Sequence, residues 1–137
     1  MTVEILEGQS ARLYKLVAPL VMSRKVLHYN HDYPFWTSPD HIWFVAIDKK
    51  KVIGFFPVEV KLTKKTAKIN NYYMAVKEDG LFPIMVQEIM KFCRRKYKLQ
   101  ALALMQHKAM FEGLGFSAVK EWKLYVKMEY VGKKHKA

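Results

Sequence analysis

Between Thr66 and Tyr97 the hydrophobic pattern changes its period once, and that change restricts the folds open to the chain. Thr66-Ala67-Lys68-Ile69-Asn70-Asn71-Tyr72-Tyr73-Met74 carries the β-branched and aromatic residues that suit a pleated, half-buried strand. Lys77-Glu78-Asp79-Gly80 breaks it. From Leu81 the apolar positions Phe82, Met85, Val86, Ile89, Phe92, Cys93 and Tyr97 recur at three and four, which places them on one side of a helix. Gln87, Lys91, Arg94 and Arg95 take the other side. A strand that turns sharply into a helix sets the helix's first backbone N–H groups, unpartnered within the helix, at the end of a sheet, where an anion can be held. Glu78 and Asp79 favour the helix start through its dipole and oppose a bound phosphate.

A chain of 137 residues fits one domain, expected over residues 1–130, with 131–137 a basic C-terminal tail. Its 51% hydrophobic and 14% aromatic content excludes general disorder. No apolar run approaches the roughly 18 to 20 residues of a membrane span. The opening Met1-Thr2-Val3-Glu4-Ile5 lacks the pattern of a signal peptide, so a cytoplasmic protein with no membrane association is expected. The single cysteine, Cys93, lies on the apolar side of the long helix and reads as a small buried hydrophobe. Oligomeric state is not encoded in any of these features. The charge is the unusual bulk property: 24 Lys+Arg against 12 Asp+Glu, formally +12. Such a balance steers a protein toward nucleic acid, an anionic surface or an acidic ligand. The cations are spread in short groups and are mostly Lys rather than the Arg of bidentate phosphate and base contacts.

In chain order, Thr2 to Glu7 is a short strand. Ser10 caps a helix whose apolar face is Leu13, Leu16, Val17, Leu20, Val21 and Met22; Pro19 kinks or interrupts it, and it ends near Arg24 or Lys25. His28 to Asp40 has two prolines, several aromatics and no helical or strand period, and so is a loop whose rings and His/Asp groups suit a substrate cleft. His41 to Asp48 and Val52 to Lys61 form a hairpin, with Gly54 marking a close backbone approach or bulge and Pro57 a break in the ladder or an exposed edge. Beyond the long helix come a buried central strand at Gln100 to Met105 and a short helix at His107 to Gly113. One or two antiparallel strands follow over Ser117 to Tyr130, the second alternating through Trp122, Leu124, Val126 and Met128.

This element order resembles that of the GNAT family of acyl-CoA-dependent N-acyltransferases. Phe111-Glu112-Gly113-Leu114-Gly115-Phe116 is similar to that family's Tyr-Glu-Lys-Leu-Gly-Phe segment, and Asp48 to Gly54 to its Asp-Gly-x-x-x-Gly hairpin. The resemblance implies an α/β (α+β) fold with a mixed, mostly antiparallel central sheet and helices on both faces. It also implies acetyl-CoA in a splay between the strand at Tyr72 to Val76 and the strand at Gln100 to Met105. Met74, Val76, Lys77, Gly80, Leu81 and Phe82 then belong to the cofactor site, with Phe111 where the family often has a proton-returning tyrosine. Gly80-Leu81-Phe82-Pro83-Ile84-Met85 keeps one glycine of the family's pyrophosphate turn, and Phe82 and Pro83 stand where the others let the backbone approach.

The activity so implied is acetyl transfer to an amine acceptor, which needs a base for the amine and a proton donor near the thiolate. The candidate bases are Glu59, His28, His31 and Asp32; the candidate donors are Tyr72, Tyr73 and His107. His28-Tyr29 ahead of the aromatic loop also resembles, distantly, phage DNA-modification proteins of the Mom type, which implies rings stacking on an extruded base while lysines hold phosphates. The alternative is a catalytically degenerate GNAT scaffold that binds nucleic acid or a protein partner. Zinc binding by His28, His31 and His41 is not expected: the His-x-x-His spacing occurs, but a third ligand with a firm spacing and a local scaffold does not.

Overall fold

The computed structural model describes residues 1–75 and 78–132, with the backbone alone described at Glu78 and Asp79. β1 (Thr2–Glu7) is followed by helices α1 (Ala11–Val21) and α2 (Arg24–His28), then by an irregular segment. Next come β2 (His41–Asp48), β3 (Lys51–Lys61), β4 (Thr66–Asn70), β5 (Tyr73–Met74) and helix α3 (Glu78–Cys93). β6 (Lys98–Leu104), a 3-10 turn (Met105–His107), α4 (Lys108–Gly113), β7 (Phe116–Glu121) and β8 (Tyr125–Tyr130) complete the described chain. Among the described residues, eight strands form one sheet in the order β1-β2-β3-β4-β6-β8-β7, with β5 against β3. The β4–β6 pair is parallel and the other pairs are antiparallel. No helix among the described residues is long and apolar enough to cross a membrane.

Strand alternation sends side chains to two helical layers, as expected. Trp43, Val45, Phe55 and Tyr73 pack under α1 and α2. Phe44, Phe56, Ile69, Tyr72 and Met74 pack on the other face with Phe82, Met85, Val86 and Ile89 of α3 and Phe111 of α4. Each fully buried side chain of α3 contributes roughly 1.5–3 kcal/mol. Cys93 closes this face, buried as expected, and burial pushes its thiol up to about 11.

Three glycines are required by contact; at the first, Gly8, a Cβ would overlap the Ser38 carbonyl oxygen. A Cβ at Gly54 would stand 2.9 Å from the Tyr73 carbonyl oxygen and 3.0 Å from Leu81 Cδ2, so β3, β5 and the start of α3 meet there with no room for a side chain. Gly115 sits at φ +102 with the Tyr130 ring 2.9 Å from its would-be Cβ, which accounts for the glycine of Leu-Gly-Phe. Gly54 also follows a bulge, since one step from Ala46 to Ile47 on β2 matches two from Gly54 to Val52 on β3. Lys49 and Lys50, both at positive φ, close the β2–β3 hairpin in a two-residue turn.

The stretch Thr66–Met74, expected as one strand, is two. Asn71 adopts a left-handed conformation at φ 54, and the register shifts there: three steps along β3 from Val58 to Phe55 match four from Ile69 to Tyr73. One extra residue reverses the alternation, so Ala67, Ile69, Tyr72 and Met74 share the α3 face while Tyr73 joins the α1 face. Pro57 lies between the β3 residues paired to β4 and those paired to β5. Its missing N–H therefore falls at a break in the ladder, not at an exposed edge. The Asn71 side chain accepts from Asn30 Nδ2 at 2.6 Å and donates to the carbonyls of Tyr33 and Pro34 at 3.2 and 3.0 Å.

Other boundaries move for local reasons. The first helix ends at Val21 and a second begins after Ser23, so His28 ends a helix instead of opening the loop. α3 starts at Glu78, putting Gly80 inside its first turn. It ends at Cys93 with Arg94 at φ 42, which leaves Tyr97 outside the helix, its ring stacked 6.2 Å from Phe92. Trp122 and Leu124 lie in the exposed turn between β7 and β8, and the buried alternation is Val126 and Met128 alone.

Replacing Asn71 by Ala places a Cβ-bearing residue with no polar group at a left-handed position and strips the partner from buried Asn30; unfolding in urea should show a loss of about 2–3 kcal/mol. Asn71→Gly, which takes the left-handed backbone without a Cβ penalty, should lose less in the same measurement.

Candidate active site

β4 and β6 run side by side from Thr66 opposite Lys98 to Asn70 opposite Leu102, where their ladder ends. Past Asn71 the chain pairs with β3, while β6 continues to Leu104 against β8. Two parallel strands therefore part at Asn71 and leave a V-shaped gap in the sheet. The Ala75 N–H donates to the Ile53 carbonyl at 2.8 Å, so residues 73 and 75 turn their backbone groups to β3 and Met74 turns its N–H and C=O toward the gap. An extended ligand that carries amides pairs with such an edge as an added strand does. The first turn of α3 stands beside it, with Leu81 against Gly54, the residue paired to Met74.

Tyr72 spans the narrow end of the gap. Its hydroxyl accepts from the Leu104 backbone N–H at 3.0 Å and lies 2.6 Å from Nδ1 of His107. When the hydroxyl donates to Nδ1, the imidazole proton is on Nε2. Tyr72 and His107 are 2% and 1% exposed. Phe56 stacks on Tyr72 at 4.8 Å, and Phe82 and Phe111 meet edge-on at 4.8 Å beside them. On the α3 side the gap is thus a dry aromatic nest holding a paired phenol and imidazole, where hydrogen bonds act at low dielectric. Phe111, buried in this nest, has no proton to give.

The other face of the sheet is polar near the parting. Glu59 and His41 are directly opposite on β3 and β2, which sets their Cβ atoms about 5 Å apart. Together with Phe35, Trp36, Pro57, Asn70 and Asn71 they line a small cavity. Ser38 Oγ lies 2.8 Å from His41 Nδ1, and the Trp36 ring stands edge-on to the imidazole at 4.6 Å. Burial lowers the His41 pKa below the usual histidine value of 6.5, with the charges of Glu59 and Asp40 offsetting part of the effect.

Of the residues expected from the sequence, Tyr72, Met74, Leu81, Phe82 and Phe111 come together in one buried cluster. Glu59 stands on the opposite face. Gly80 is exposed in the first turn of α3, and Val76 and Lys77 lie outside the described residues. Tyr73 packs into the α1 face against Phe55 and Tyr29, and burial raises its pKa. His28 and Asp32 form an exposed ion pair with each other, and His31 stands edge-on to Tyr125 at 5.6 Å. Among the described residues no group of three His, Cys, Asp or Glu is placed to hold a metal.

The sequence alone did not single out His41 as a partner of Glu59, or the Asn30–Asn71–Tyr125 network in which Tyr125 Oη donates to Asn30 Oδ1 at 2.8 Å. The paired asparagines inside an otherwise β-forming run were the available signal, since Asn is the residue after glycine that most readily takes the left-handed conformation.

No protein-family model and no curated protein matches the sequence. Solved structures match almost its whole length. Escherichia coli ElaA superposes with a TM-score of 0.75 at 11% identity, over 93% of this chain and 97% of that one. An acyl-CoA N-acyltransferase from Pseudomonas aeruginosa gives 0.75 at 15% identity, over 95% and 99%. The PaiA N-acetyltransferase of Thermoplasma acidophilum, in complex with coenzyme A, gives 0.63 at 12%, over 94% and 98%. The chain therefore has the GNAT fold.

The state of His41 sets a pH dependence. The unfolded chain takes up this proton near the ordinary value of 6.5 and the folded chain only at lower pH, so its stability is full above 6.5 and falls as pH drops below it. Between about pH 7.5 and about pH 5.5 the urea midpoint should fall further for the wild type than for His41→Gln.

Proposed function

We propose that the chain is an acyl-CoA-dependent N-acyltransferase that carries acetyl groups to an amine. The observation that supports this most is the parting of β4 and β6 at Asn71, with the Met74 backbone edge and the first turn of α3 along one side of the gap. These groups fit the ligand: the Met74 amide matches a chain of amides, and the N–H groups at the start of a 16-residue helix match a pyrophosphate. Met74, Leu81, Phe82 and the start of α3 would hold it; Val76 and Lys77, assigned to the same site from the sequence, lie outside the described residues. Acetyl-CoA supplies, when bound, a thioester whose acyl carbon is open to attack by a neutral amine.

The chain's own residues provide the proton transfers. Glu59, half-buried at the polar face beside the parting, takes the proton of the amine. Tyr72 Oη gives a proton to the departing sulfur, in the place of the tyrosine that Phe111 replaces; in the tautomer with the imidazole proton on Nδ1, His107 donates to that oxygen beside the Leu104 N–H, which leaves the phenol proton to go to sulfur and stabilises the phenolate left behind. The aromatic rings around Tyr72 exclude water, so the thioester meets the amine instead of hydrolysis. His28 at the end of α2, and His31 and Asp32 on the loop that Asn71 ties to the sheet, belong to the acceptor's approach.

A second reading is a GNAT scaffold that binds a nucleic acid or protein partner without turnover. The dry filling of the gap by Tyr72, Phe82 and Phe111 favours it. In the version where the acceptor is adenine in DNA, the rings available for stacking are Tyr33 and Trp36, 62% and 57% exposed, while Phe35 packs on Phe55.

Calorimetric titration with acetyl-CoA should show micromolar binding; the absence of heat at any reachable concentration transfers the case to the binding module. Glu59→Gln should lower kcat roughly 10²-fold, with acetyl-CoA affinity unchanged. Unaltered turnover would eliminate Glu59 as the base. Retention on DNA that weakens with salt is required of the DNA version.

A further inference from the structure

Where α1 and α2 stop covering the sheet, its face becomes a cleft of about 300 Å³ lined by Glu59, Lys61, Lys64, Thr66, Lys68 and Gln100. We propose that this cleft binds a phosphate group carried by the amine acceptor, so that the substrate is a small phosphorylated amine; this rests on the acyltransferase reading above.

Strand register builds the cleft. Glu59, Lys68 and Gln100 lie opposite one another across β3, β4 and β6, and Lys61, Thr66 and Lys98 form the next row. The two rows are two residues apart along the strands, about 7 Å. The cations in them are not equivalent. Lys98 pairs with Glu129 at 3.4 Å, and Glu129 also accepts from Gln100 Nε2 at 3.1 Å. Lys61, Lys64 and Lys68 have no carboxylate within ion-pair distance among the described residues. Gathering three ammonium groups around one concavity in a chain of net charge +12 adds to its self-repulsion, and a dianion held among them relieves it. The Thr66 hydroxyl adds a neutral donor of the kind a phosphate oxygen accepts from.

The cleft's position selects an amine that carries the phosphate. Glu59 lines both this cleft and the small cavity shared with His41, Asn70 and Asn71. Asn70 follows Lys68 by two residues on the same face and is the last residue paired before the strands part. A ligand with its phosphate among the lysines therefore has its other end at Glu59 and the parting. The volume matches a small molecule, at the lower end of ligand pockets of about 300–1,000 Å³. Along β3 the cleft is not continued by further cations: Lys49, Lys50 and Lys51 sit at the opposite end of that eleven-residue strand from Lys61.

The test uses the full chain and the double variant Lys61→Met, Lys68→Met, which keeps the apolar stems of exposed Lys61 and half-buried Lys68. Inorganic phosphate should shift the backbone amides of Thr66, Lys68 and Gln100 in the wild type and bind about tenfold more weakly to the variant, while acetyl-CoA affinity stays the same in both. Thiol release from acetyl-CoA should be about tenfold faster in kcat/KM with phosphoethanolamine than with ethanolamine, and the variant should lose that preference. Equal turnover of the two amines, with phosphate shifting none of these amides, overturns the inference and leaves the acyltransferase reading standing. Phosphate binding that the variant weakens, without turnover of any amine, upholds an anion site and sinks the acyltransferase reading. An oligonucleotide that binds through Lys61 and Lys68 where phosphate does not would overturn the inference in favour of a nucleic-acid surface.

Discussion

Much of the molecule depends on the conformation of one residue, Asn71. Its left-handed backbone inserts an extra residue into the strand that begins at Thr66, and the resulting shift of one turns Tyr72 into the α3 face and sends Tyr73 to the other. At the same point the chain leaves β6 while staying on β3, which opens the gap beside β6. The side chain does a second task, since its hydrogen bonds to Asn30 and to the carbonyls of Tyr33 and Pro34 tie the aromatic loop to the point of parting. The cost of a left-handed residue with a Cβ is offset by bonds that a glycine would not make.

The gap has two unlike sides because the sheet has two unlike coverings. Toward α3 and α4 it is walled by Phe56, Phe82 and Phe111, where the Tyr72–His107 pair acts at low dielectric. Toward α1 and α2 the cover ends near Phe55, and beyond it lie Glu59, His41 and the lysines of β3 and β4. A thioester and a charged acceptor make opposite demands on their surroundings, one for a dry site and one for exposed cations. A sheet covered fully on one face and partly on the other meets both demands at the place where its strands part.

Strand and helix periods made most elements legible. β1, β2, β3, the apolar face of α3 and the short helix before Leu-Gly-Phe stand close to where alternation and capping put them. The errors have physical sources. Thr66–Met74 has uniform β propensity, and propensity does not register a one-residue bulge, whose signal is the left-handed Asn71. Trp122 and Leu124 continue an alternation into a turn because exposed apolar residues look the same as buried ones in a sequence. Gly80 suggested a late start for α3, although it is tolerated in a first turn where the N–H groups have no partner in any case.

The sequence by itself determined the periods: which segments alternate, which repeat at three and four, and that the chain carries a large excess of lysine. It also placed Leu-Gly-Phe and the glycine of the hairpin, because a missing Cβ is a local property. Tertiary structure decided which of these residues meet. Tyr72 and His107 are 35 residues apart and Asn30 and Tyr125 are 95 apart, and their hydrogen bonds exist only because the sheet brings distant strands into one register. The division of the lysines into Lys98, neutralised by Glu129, and the group around the cleft was settled in the same way. Charge is a property of a residue, but a partner is a property of the fold.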